Sequence, residues 1–382
     1  MIRTFDDAVQ YGLQYLGSGN AATNEAVVSA KRAAVQSLDT IATEAEWSYY
    51  LREARITTEA PYSTGTVQYV ASTRALTLAG GTWPTWAASG LILISDQWYE
   101  VESRDSDTVL TLRSGAAPTG DISTDTAFII YQEQYDLPDD FARMMEPVVH
   151  RQNYLKILSP HEILVQRSIS PSSGTPLFAS ITGKRTGRQG IVLRIWPMPS
   201  GNEVIHYLYR RHPSSPNVYQ LSDGSVTTTA GSTTVTGTGT SWTSALVGCV
   251  LRIGTDSINK PGSVVDPYPA QHEAYIESVA SATSLVLSSA PNFTAERRAY
   301  LISSAIDLDE RVLGDLYERA ICLRLALDRK MDPGLRQLAQ ADYLSELRDS
   351  LARDSRDRSD RAMGMSGWVP RGFRITGDVE AP

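Results

Sequence analysis

The side chains best suited to metal binding or nucleophilic catalysis are the histidines and cysteines. The chain has five histidines, His150, His161, His206, His212 and His272. No two of them are four residues apart, and no cysteine lies at a metal-ligand spacing from another ligand. Cys249 and Cys322 stand among apolar residues, where a free thiol behaves as a small hydrophobic side chain. The sequence therefore predicts no metal site and no disulfide framework.

A basic sequence before a predicted strand is the second candidate for chemistry. Gly183-Lys184-Arg185 resembles the end of a phosphate-binding loop, but such a loop needs a glycine where Phe178 stands and a serine or threonine at position 185. We therefore predict a solvated basic turn and no nucleotide site. Lys184, Arg185 and Arg188 form a candidate basic contact cluster for an acidic partner surface or for DNA.

The spacing of acidic and serine residues does not indicate acid–base or serine chemistry. Because the chain has 43 acidic residues, chance pairs of carboxylates are unavoidable. Asp139 and Asp140 are better explained as the start of a helix. No Gly-x-Ser-x-Gly sequence lies between a predicted strand and a predicted helix. We predict that the protein is not an enzyme, has no catalytic residues and needs no cofactor.

Composition and charge are those of a multidomain chain with an acidic balance. Its 382 residues and 42% hydrophobic content suffice for two or three domains. A net charge of −8 argues against sequence-independent DNA binding, which needs a basic face. No stretch reaches the roughly 18 apolar residues of a membrane helix, and residues 1–7 contain no apolar signal region. We expect no membrane association and synthesis in a cytosol-like compartment.

The apolar pattern predicts helices at both ends of the chain and in its centre. Apolar residues recur there at three- and four-residue spacing, which places them on one helix face. Thr23 is a predicted N-cap, Asp307 a second one, and Pro333 a predicted first helical residue. The predicted helices cover about residues 5–16, 23–55, 141–149, 307–331 and 333–351.

Between the helices, short runs rich in threonine and β-branched residues alternate with turn signals, which is typical of small sandwiches or barrels. Residues 190–196 and 204–210 form a predicted central hairpin. The predicted fold is α+β. Its body is a helical bundle from N-terminal, central and C-terminal helices, and two related β-barrel or sandwich modules are inserted. The predicted segments are 1–56 (N-terminal helices), 62–134 (first β module), 135–222 (central helix and hairpin), 223–304 (second β module), 305–361 (C-terminal helices) and 362–382 (extended C-terminal tail).

The two β modules repeat one another in sequence. Trp83 and Trp242 occupy matching places 159 residues apart, and Gly90 aligns with Gly248 at an offset of 158. Further along, the offset rises to 175, so the second module contains about 17 additional residues within 255–272. That insertion is rich in proline and glycine, which favours a loop tip. We interpret the repeat as a duplication of one small module.

Several segments together resemble the head-to-tail connector or adaptor proteins of tailed phages, including the tail tubular adaptors of short-tailed phages. The first is Tyr135-Asp136-Leu137-Pro138-Asp139-Asp140-Phe141. The predicted hairpin reads Leu193-Arg194-Ile195-Trp196-Pro197-Met198-Pro199 and then His206-Tyr207-Leu208-Tyr209-Arg210-Arg211. The second module contains the Gly/Thr-rich sequence from Gly231 to Trp242. The likeness covers most of the chain by architecture.

This resemblance implies a structural virion protein at the head–tail junction, assembled in the host cytoplasm. Its partners would be identical subunits in a ring, usually twelve, the portal protein and a downstream tail or nozzle protein. DNA would pass through the lumen without specific binding. The β modules would face outward or toward the next tail component.

Two further segments are candidates for contacts with partners. The insertion of the second module offers Lys260 and Tyr268 at its loop tip. The C-terminal tail combines methionine and aromatic residues, which are enriched in interface cores. We predict that this tail orders against the portal or a neighbouring subunit. Its candidate interface residues are Met363, Met365, Trp368, Val369, Phe373 and Ile375.

Two other functions compete with the adaptor interpretation. A receptor-binding or tail-fibre protein would bind saccharide, with tryptophans as stacking faces. The candidates for that role are Trp83, Trp86, Trp98 and Trp242. However, Trp83 and Trp242 match across the repeat, which favours a shared core role. A wall-degrading virion enzyme is the second alternative, and it would need a carboxylate pair that the sequence does not single out.

Overall fold

The described part of the chain consists of three curled seven-stranded β-sheets, one two-stranded sheet and a group of helices. A computed structural model describes residues 2–17, 23–150, 153–169, 173–184, 190–262 and 268–363. The chain separates into two units, the first formed by residues 1–50 and 213–382 and the second by residues 51–212. Strands account for 39% of the residues and helices for 28%.

The described residues contain five α-helices and 23 strands. The helices are α1 Phe5–Tyr15, α2 Asn24–Glu44, α3 Pro160–Ile169, α4 Glu310–Asp328 and α5 Pro333–Met363. The first eight strands are β1 Leu51–Thr57, β2 Thr66–Val70, β3 Ala75–Ala79, β4 Gly90–Ile94, β5 Gln97–Arg104, β6 Val109–Leu112, β7 Ile122–Thr126 and β8 Phe128–Gln132. The next eight are β9 Gln134–Asp136, β10 Phe141–His150, β11 Asn153–Ile157, β12 Ser173–Gly174, β13 Phe178–Gly183, β14 Ile191–Trp196, β15 Met198–Pro199 and β16 Val204–Arg211. The last seven are β17 Ser225–Thr228, β18 Thr234–Thr238, β19 Cys249–Ile253, β20 His272–Ser281, β21 Ser284–Leu287, β22 Ala295–Arg298 and β23 Tyr300–Ser304.

In the first unit, helices α1, α2, α4 and α5 enclose an apolar core. Thr4 caps α1, and Thr23 caps α2 as the sequence predicts, because its hydroxyl accepts a hydrogen bond from the backbone N–H of Ala26. Trp47 and Tyr317 are fully buried among the aliphatic side chains of these helices. Truncating a buried aromatic side chain to alanine costs about 3–5 kcal/mol, so these two residues anchor the helical layer.

The two β modules have the same topology. The first sheet has the strand order β7-β2-β3-β6-β5-β4-β8, and the second has β22-β17-β18-β21-β20-β19-β23. Each strand of the first therefore has one counterpart in the second. Core residues pair in the same way, since Ile92 faces Ile130 and Leu251 faces Ile302. This register makes Cys249, rather than Gly248, the counterpart of Gly90 and so corrects the sequence alignment there by one residue.

The matched tryptophans lie in the cores of the two modules. Trp83 is 1% exposed and Trp242 is 3% exposed, which confirms the core role predicted from the repeat. Trp83 packs edge-on against Phe128 with 5.0 Å between ring centroids. Trp242 packs edge-on against Tyr300, the counterpart of Phe128, at 5.9 Å. Aromatic pairs in this geometry add about 0.5–1.5 kcal/mol beyond the area that they bury.

A third seven-stranded sheet, here called the central sheet, completes the second unit. Its strand order is β1-β16-β10-β11-β13-β14-β9. Only β11 and β13 pair in parallel, and helix α3 lies in the connection between them, as a parallel pair requires. Its core includes Val148, Leu193 and Ile205.

The prediction of a helical bundle body is wrong. Residues 141–150, predicted as the central helix, form strand β10 of the central sheet. Register shifts after Phe141 and after Met145 interrupt the two-residue alternation of this strand. As a result, the buried residues Phe141, Met144 and Val148 are three and four residues apart, which is the spacing of a helix. The bulges explain the error.

The predicted central hairpin is also wrong. Strand β14 pairs with β13 and β9, whereas β16 pairs with β10 and β1. Strand β1 occupies residues 51–57, where the sequence predicts the end of a helix, and α2 already ends at Glu44. Asp309 caps α4 in place of Asp307. The carboxylate of Asp307 instead accepts hydrogen bonds from the hydroxyl of Tyr49 and the backbone of Ser214.

Candidate interaction surfaces

The histidines and cysteines lie in separate surroundings. His150 is fully buried with its Nε2 in contact with the carboxylate of Glu203, whereas His206 is exposed and its Nδ1 lies 3.8 Å from the carboxylate of Glu53. Among the described residues, no three histidine, cysteine, aspartate or glutamate side chains are close enough together to hold a metal ion. Both cysteines are free and buried, and burial raises the pKa of each thiol.

Lys184 is the member of the basic contact cluster that the structure describes. Its Nζ donates to both carboxylate oxygens of Asp136, at 2.7 Å each. This pair joins the end of β13 to β9, the edge strand of the central sheet. Arg185 and Arg188 lie outside the described residues. The positive charge of Lys184 is therefore already matched by a carboxylate of the same sheet.

The outer face of the first β module is apolar. Leu91 and Tyr131 face each other on β4 and β8, and Trp98 lies beside them on β5. They pack against Ile163 of α3 and Met198 of β15. This face attaches the first module to the part of the second unit that carries the central sheet.

The same outer face of the second β module is polar. By register, Glu273 takes the place of Trp98, and Ser303 takes the place of Tyr131. Beside them, Arg252 is only 3% exposed. The guanidinium of Arg252 donates to Glu273 at 2.7 Å. The equivalent faces of the two modules therefore make different contacts. The face of the first module is apolar, and that of the second is charged.

The partner of this polar face is the N-terminus of α1. Arg252 donates two hydrogen bonds to the carboxylate of Asp7, which also accepts from the backbone N–H groups of Arg3 and Thr4. Burial alone would raise the pKa of Asp7, but the hydrogen bonds and charge of Arg252 outweigh burial, so the pKa lies below its ordinary value. For the neighbouring Asp6, burial raises the pKa. The two adjacent carboxyl groups are therefore shifted in opposite directions.

The insertion of the second module is a loop between β19 and β20. The carboxylate of Asp256 accepts hydrogen bonds from the backbone N–H groups of Ile258 and Asn259, at 2.8 and 2.6 Å, and so fixes the turn. Ile258 is 85% exposed on this ordered turn, and Lys260 is exposed. Tyr268 is also exposed. Lys260 and Tyr268 were predicted from the sequence, whereas Ile258, an apolar residue between Ser257 and Asn259, was not.

Helix α5 has exposed leucines on both sides of its packed face. Its buried face contains Ala339, Tyr343 and Ser350. The sequence stripe assigned all five leucines of this helix to one face, yet Leu347 alone packs on the helical core. The exposed fractions of the others are 51% for Leu335, 58% for Leu338, 43% for Leu344 and 41% for Leu351.

These four leucines form two flanks. At 100° per residue, Leu335 and Leu338 lie roughly 100° to one side of the buried face, and Leu344 and Leu351 lie about as far to the other side. We call the first pair the 335/338 flank and the second pair the 344/351 flank. A helix that packs on one side only needs no leucine at either place.

The predicted C-terminal interface lies almost wholly beyond the described residues. Met363 is the last residue of α5. Met365, Trp368, Val369, Phe373 and Ile375 lie outside the described residues. Their role stays a prediction from the sequence.

Saccharide stacking has little support from the tryptophans of the repeat. Trp83 and Trp242 are buried and cannot present a ring face to a ligand. Trp86 and Trp98 are half-buried, and Trp98 packs against Tyr131 with 5.8 Å between ring centroids. The fully buried pair therefore serves the module cores.

Comparison with known proteins assigns no family to the chain. No protein-family model matches the sequence. No curated protein matches it at a significant level. Within the described part of the chain, none of the helices combines the length and the apolar character needed to cross a bilayer.

Proposed function

We propose that this protein is a structural subunit of a tailed-phage virion, a head-to-tail adaptor that forms a ring between the portal and the tail. The segments that resemble connector proteins, among them Tyr135 to Phe141 and Gly231 to Trp242, support this proposal. In the ring, identical subunits surround a channel through which DNA passes without specific binding. The portal binds on one side and a downstream tail or nozzle protein on the other.

The observation that carries the proposal is the pair of leucine flanks on α5. A contact between identical faces would need only one apolar flank on each copy. Two different flanks on one helix suit a head-to-tail contact, in which the 335/338 flank of one copy packs on the 344/351 flank of the next. Repetition of such a contact gives a closed ring when the rotation between copies divides a full turn.

The acidic balance of the chain agrees with a conduit that does not retain DNA. The net charge is −8, and a protein that neutralises phosphates needs a basic face. The duplicated β modules supply two similar bodies with different outer faces.

Electron microscopy of the purified full-length protein, alone and mixed with its portal protein, tests the proposal. We expect closed rings that dock coaxially on the portal. Mass photometry gives the mass and hence the number of copies. A protein that stays monomeric in both conditions and does not bind the portal would overturn the proposal. Binding of glycan by the purified protein, without ring formation, would favour the receptor-binding alternative.

A further inference from the structure

The first β module has an open depression at the end of its β4–β5 hairpin. Its volume is about 340 Å³. The depression is lined by Leu93, Ser95, Asp96, Ala127, Phe128 and Ile129. Four of the lining residues are apolar, Thr126 completes the lining, and Asp96 supplies its carboxylate. Such a site fits an apolar side chain that is followed by a cation.

The repeat shows what occupies the same place in the second module. Ile94 and Phe128 form the last pair of β4 with β8 in the first module. Ile253 and Tyr300 form the equivalent last pair of β19 with β23 in the second. In the second module the chain continues along the edge. The N–H of Gly254 donates to the carbonyl of Ala299 at 2.8 Å.

The insertion completes this edge contact. The N–H of Ala299 donates to the carbonyl of Asp256, also at 2.8 Å. The second module thus covers its edge with its own insertion. In the first module the chain turns back at Ser95 and Asp96, and Ala127, the counterpart of Ala299, is exposed. The first module therefore lacks the segment that covers the second.

We propose that residues 256–260 of a second copy of this chain fill the depression of the first module. This inference rests on the proposed ring. The side chain of Ile258 enters the apolar floor, and the ammonium group of Lys260 lies beside Asp96 at the rim. Asp256 holds Ile258 in an ordered turn before binding, so little conformational freedom is lost on association.

Charge favours this occupant. Residues 62–134 contain three arginines and no lysine against eight aspartates and glutamates, so the first module is acidic. In the segment that we assign to the depression, the carboxylate of Asp256 is engaged by its own turn, whereas Lys260, two residues after the isoleucine, is exposed. Complementary charge of this kind fixes the register of a contact and speeds association. Each copy gives one loop and receives one, which is the head-to-tail arrangement that a ring needs.

Cysteine cross-linking between two full-length variants tests the inference. One variant carries Ala127→Cys and the other Ile258→Cys, so a disulfide between them can form only between copies. The native Cys249 and Cys322 are buried and give no background. The matched control replaces the second variant by Val247→Cys, since Val247 is a half-exposed apolar residue of the same module.

We expect a covalent dimer from the Ala127→Cys and Ile258→Cys mixture and none above background from the control. Ile258→Asp should weaken self-association by about tenfold or more, as the loss of an interface anchor does. The thermal unfolding of this variant should match the wild type, because Ile258 is exposed in the single chain. Lys260→Glu should also weaken assembly, and Asp96→Lys in the same chain should restore it.

The outcomes separate this inference from the proposed function. If the wild type forms rings but the test mixture cross-links no more than the control, the loop contact is refuted and the ring stands. If the wild type forms no ring, either alone or on the portal, the proposed function fails and the loop contact fails with it.

Discussion

Asp7 and Arg252 form a buried bidentate ion pair that ties the start of α1 to strand β19. Both N–H···O contacts measure 2.8 Å, and the two side chains are 6% and 3% exposed. The two residues are 245 positions apart in the chain. The pair therefore joins the two sequence segments of the first unit, and its strength should govern whether α1 stays on the second β module.

Substitution of Asp7 and of the adjacent Asp6 should show how strongly the partners of Asp7 stabilise the fold. Asp7→Asn leaves the buried guanidinium of Arg252 with Glu273 as its remaining carboxylate, and we expect a loss of about 3–5 kcal/mol in unfolding free energy. Asp6→Asn keeps an oxygen acceptor for Gln220 and removes a buried charge, so it should change stability by less than about 1 kcal/mol. Calorimetric unfolding of both variants is the measurement. Equal losses would contradict the assigned role of Arg252.

The difference in unfolding free energy between each variant and the wild type should change with pH in opposite ways for Asp7→Asn and Asp6→Asn. The pKa of Asp7 is lowered in the folded protein, so its stabilisation is present above the unfolded value of about 3.9 and is lost as the pH falls through the folded pKa. The pKa of Asp6 is raised, so its ionisation opposes folding as the pH rises through the folded pKa. Unfolding between pH 3 and 7 should show the deficit of Asp7→Asn shrinking toward low pH. Relative to wild type, Asp6→Asn should improve toward neutral pH.

The matched glycines of the repeat should be sensitive to substitution to a similar degree. Gly65 and Gly224 have φ values of +92° and +84°, and a Cβ at either would lie 2.2 Å from a backbone carbonyl oxygen of the facing turn. Alanine at either position should cost more than 1 kcal/mol, because both the backbone conformation and the space exclude it. Gly120→Ala in the first module has open space around it and serves as the control. If Gly65→Ala and Gly120→Ala had the same unfolding free energy, the predicted strain at Gly65 would be refuted.

A variant of one α5 flank should assemble only when it is mixed with a variant of the other flank. Leu335→Glu/Leu338→Glu and Leu344→Glu/Leu351→Glu should each prevent ring formation, since a buried unpaired carboxylate is costly. A mixture of the two retains one intact contact and should give dimers that grow no further. Mass photometry distinguishes monomers, dimers and rings.

A contact between identical faces would give a different result for the flank variants. Each double variant would then lose only the contact made by its substituted flank, and mixing the two variants would give no assembly that is absent from the separate samples. As a control, Ala341→Glu adds charge on the exposed side of the helix between the flanks and should leave assembly unchanged.

Deletion of residues 364–382 should remove docking to the portal while the folded units persist. The segment contains Trp368 and Phe373, aromatic residues of the kind that anchor interfaces. We expect unchanged thermal unfolding and loss of portal binding in a pull-down with purified portal. The matched control replaces Trp368 and Phe373 by alanine in the full-length chain. Portal binding that survives both changes would contradict the predicted role of the tail.

Part of the fold was predictable because local sequence carries it. Thr23 lies at the start of α2 and Pro333 at the start of α5, since capping and proline chemistry act within one helical turn. Trp83 and Trp242 repeat at one offset and occupy the same core position. The central sheet was not predictable in this way, because bulges in β10 give its buried residues the spacing of a helix.

The partners of each surface were beyond sequence reasoning. Leu335 and Leu344 belong to one predicted helix, and only the packed helix shows that its buried face lies between them and leaves both leucines exposed. Arg252 stands in a strand of apolar residues, and its sequence neighbours do not reveal that Asp7 neutralises it.

The sequence by itself determined the duplication and the starts of α2 and α5, because each depends on residues close together in the chain or on the repeat. Tertiary structure decided the pairing of the central sheet, the two uses of one module face and the open depression beside Ala127. These features depend on contacts between distant residues, and many alternative pairings satisfy the same local pattern. Only the packed chain shows which pairings bury the apolar residues and match the buried charges.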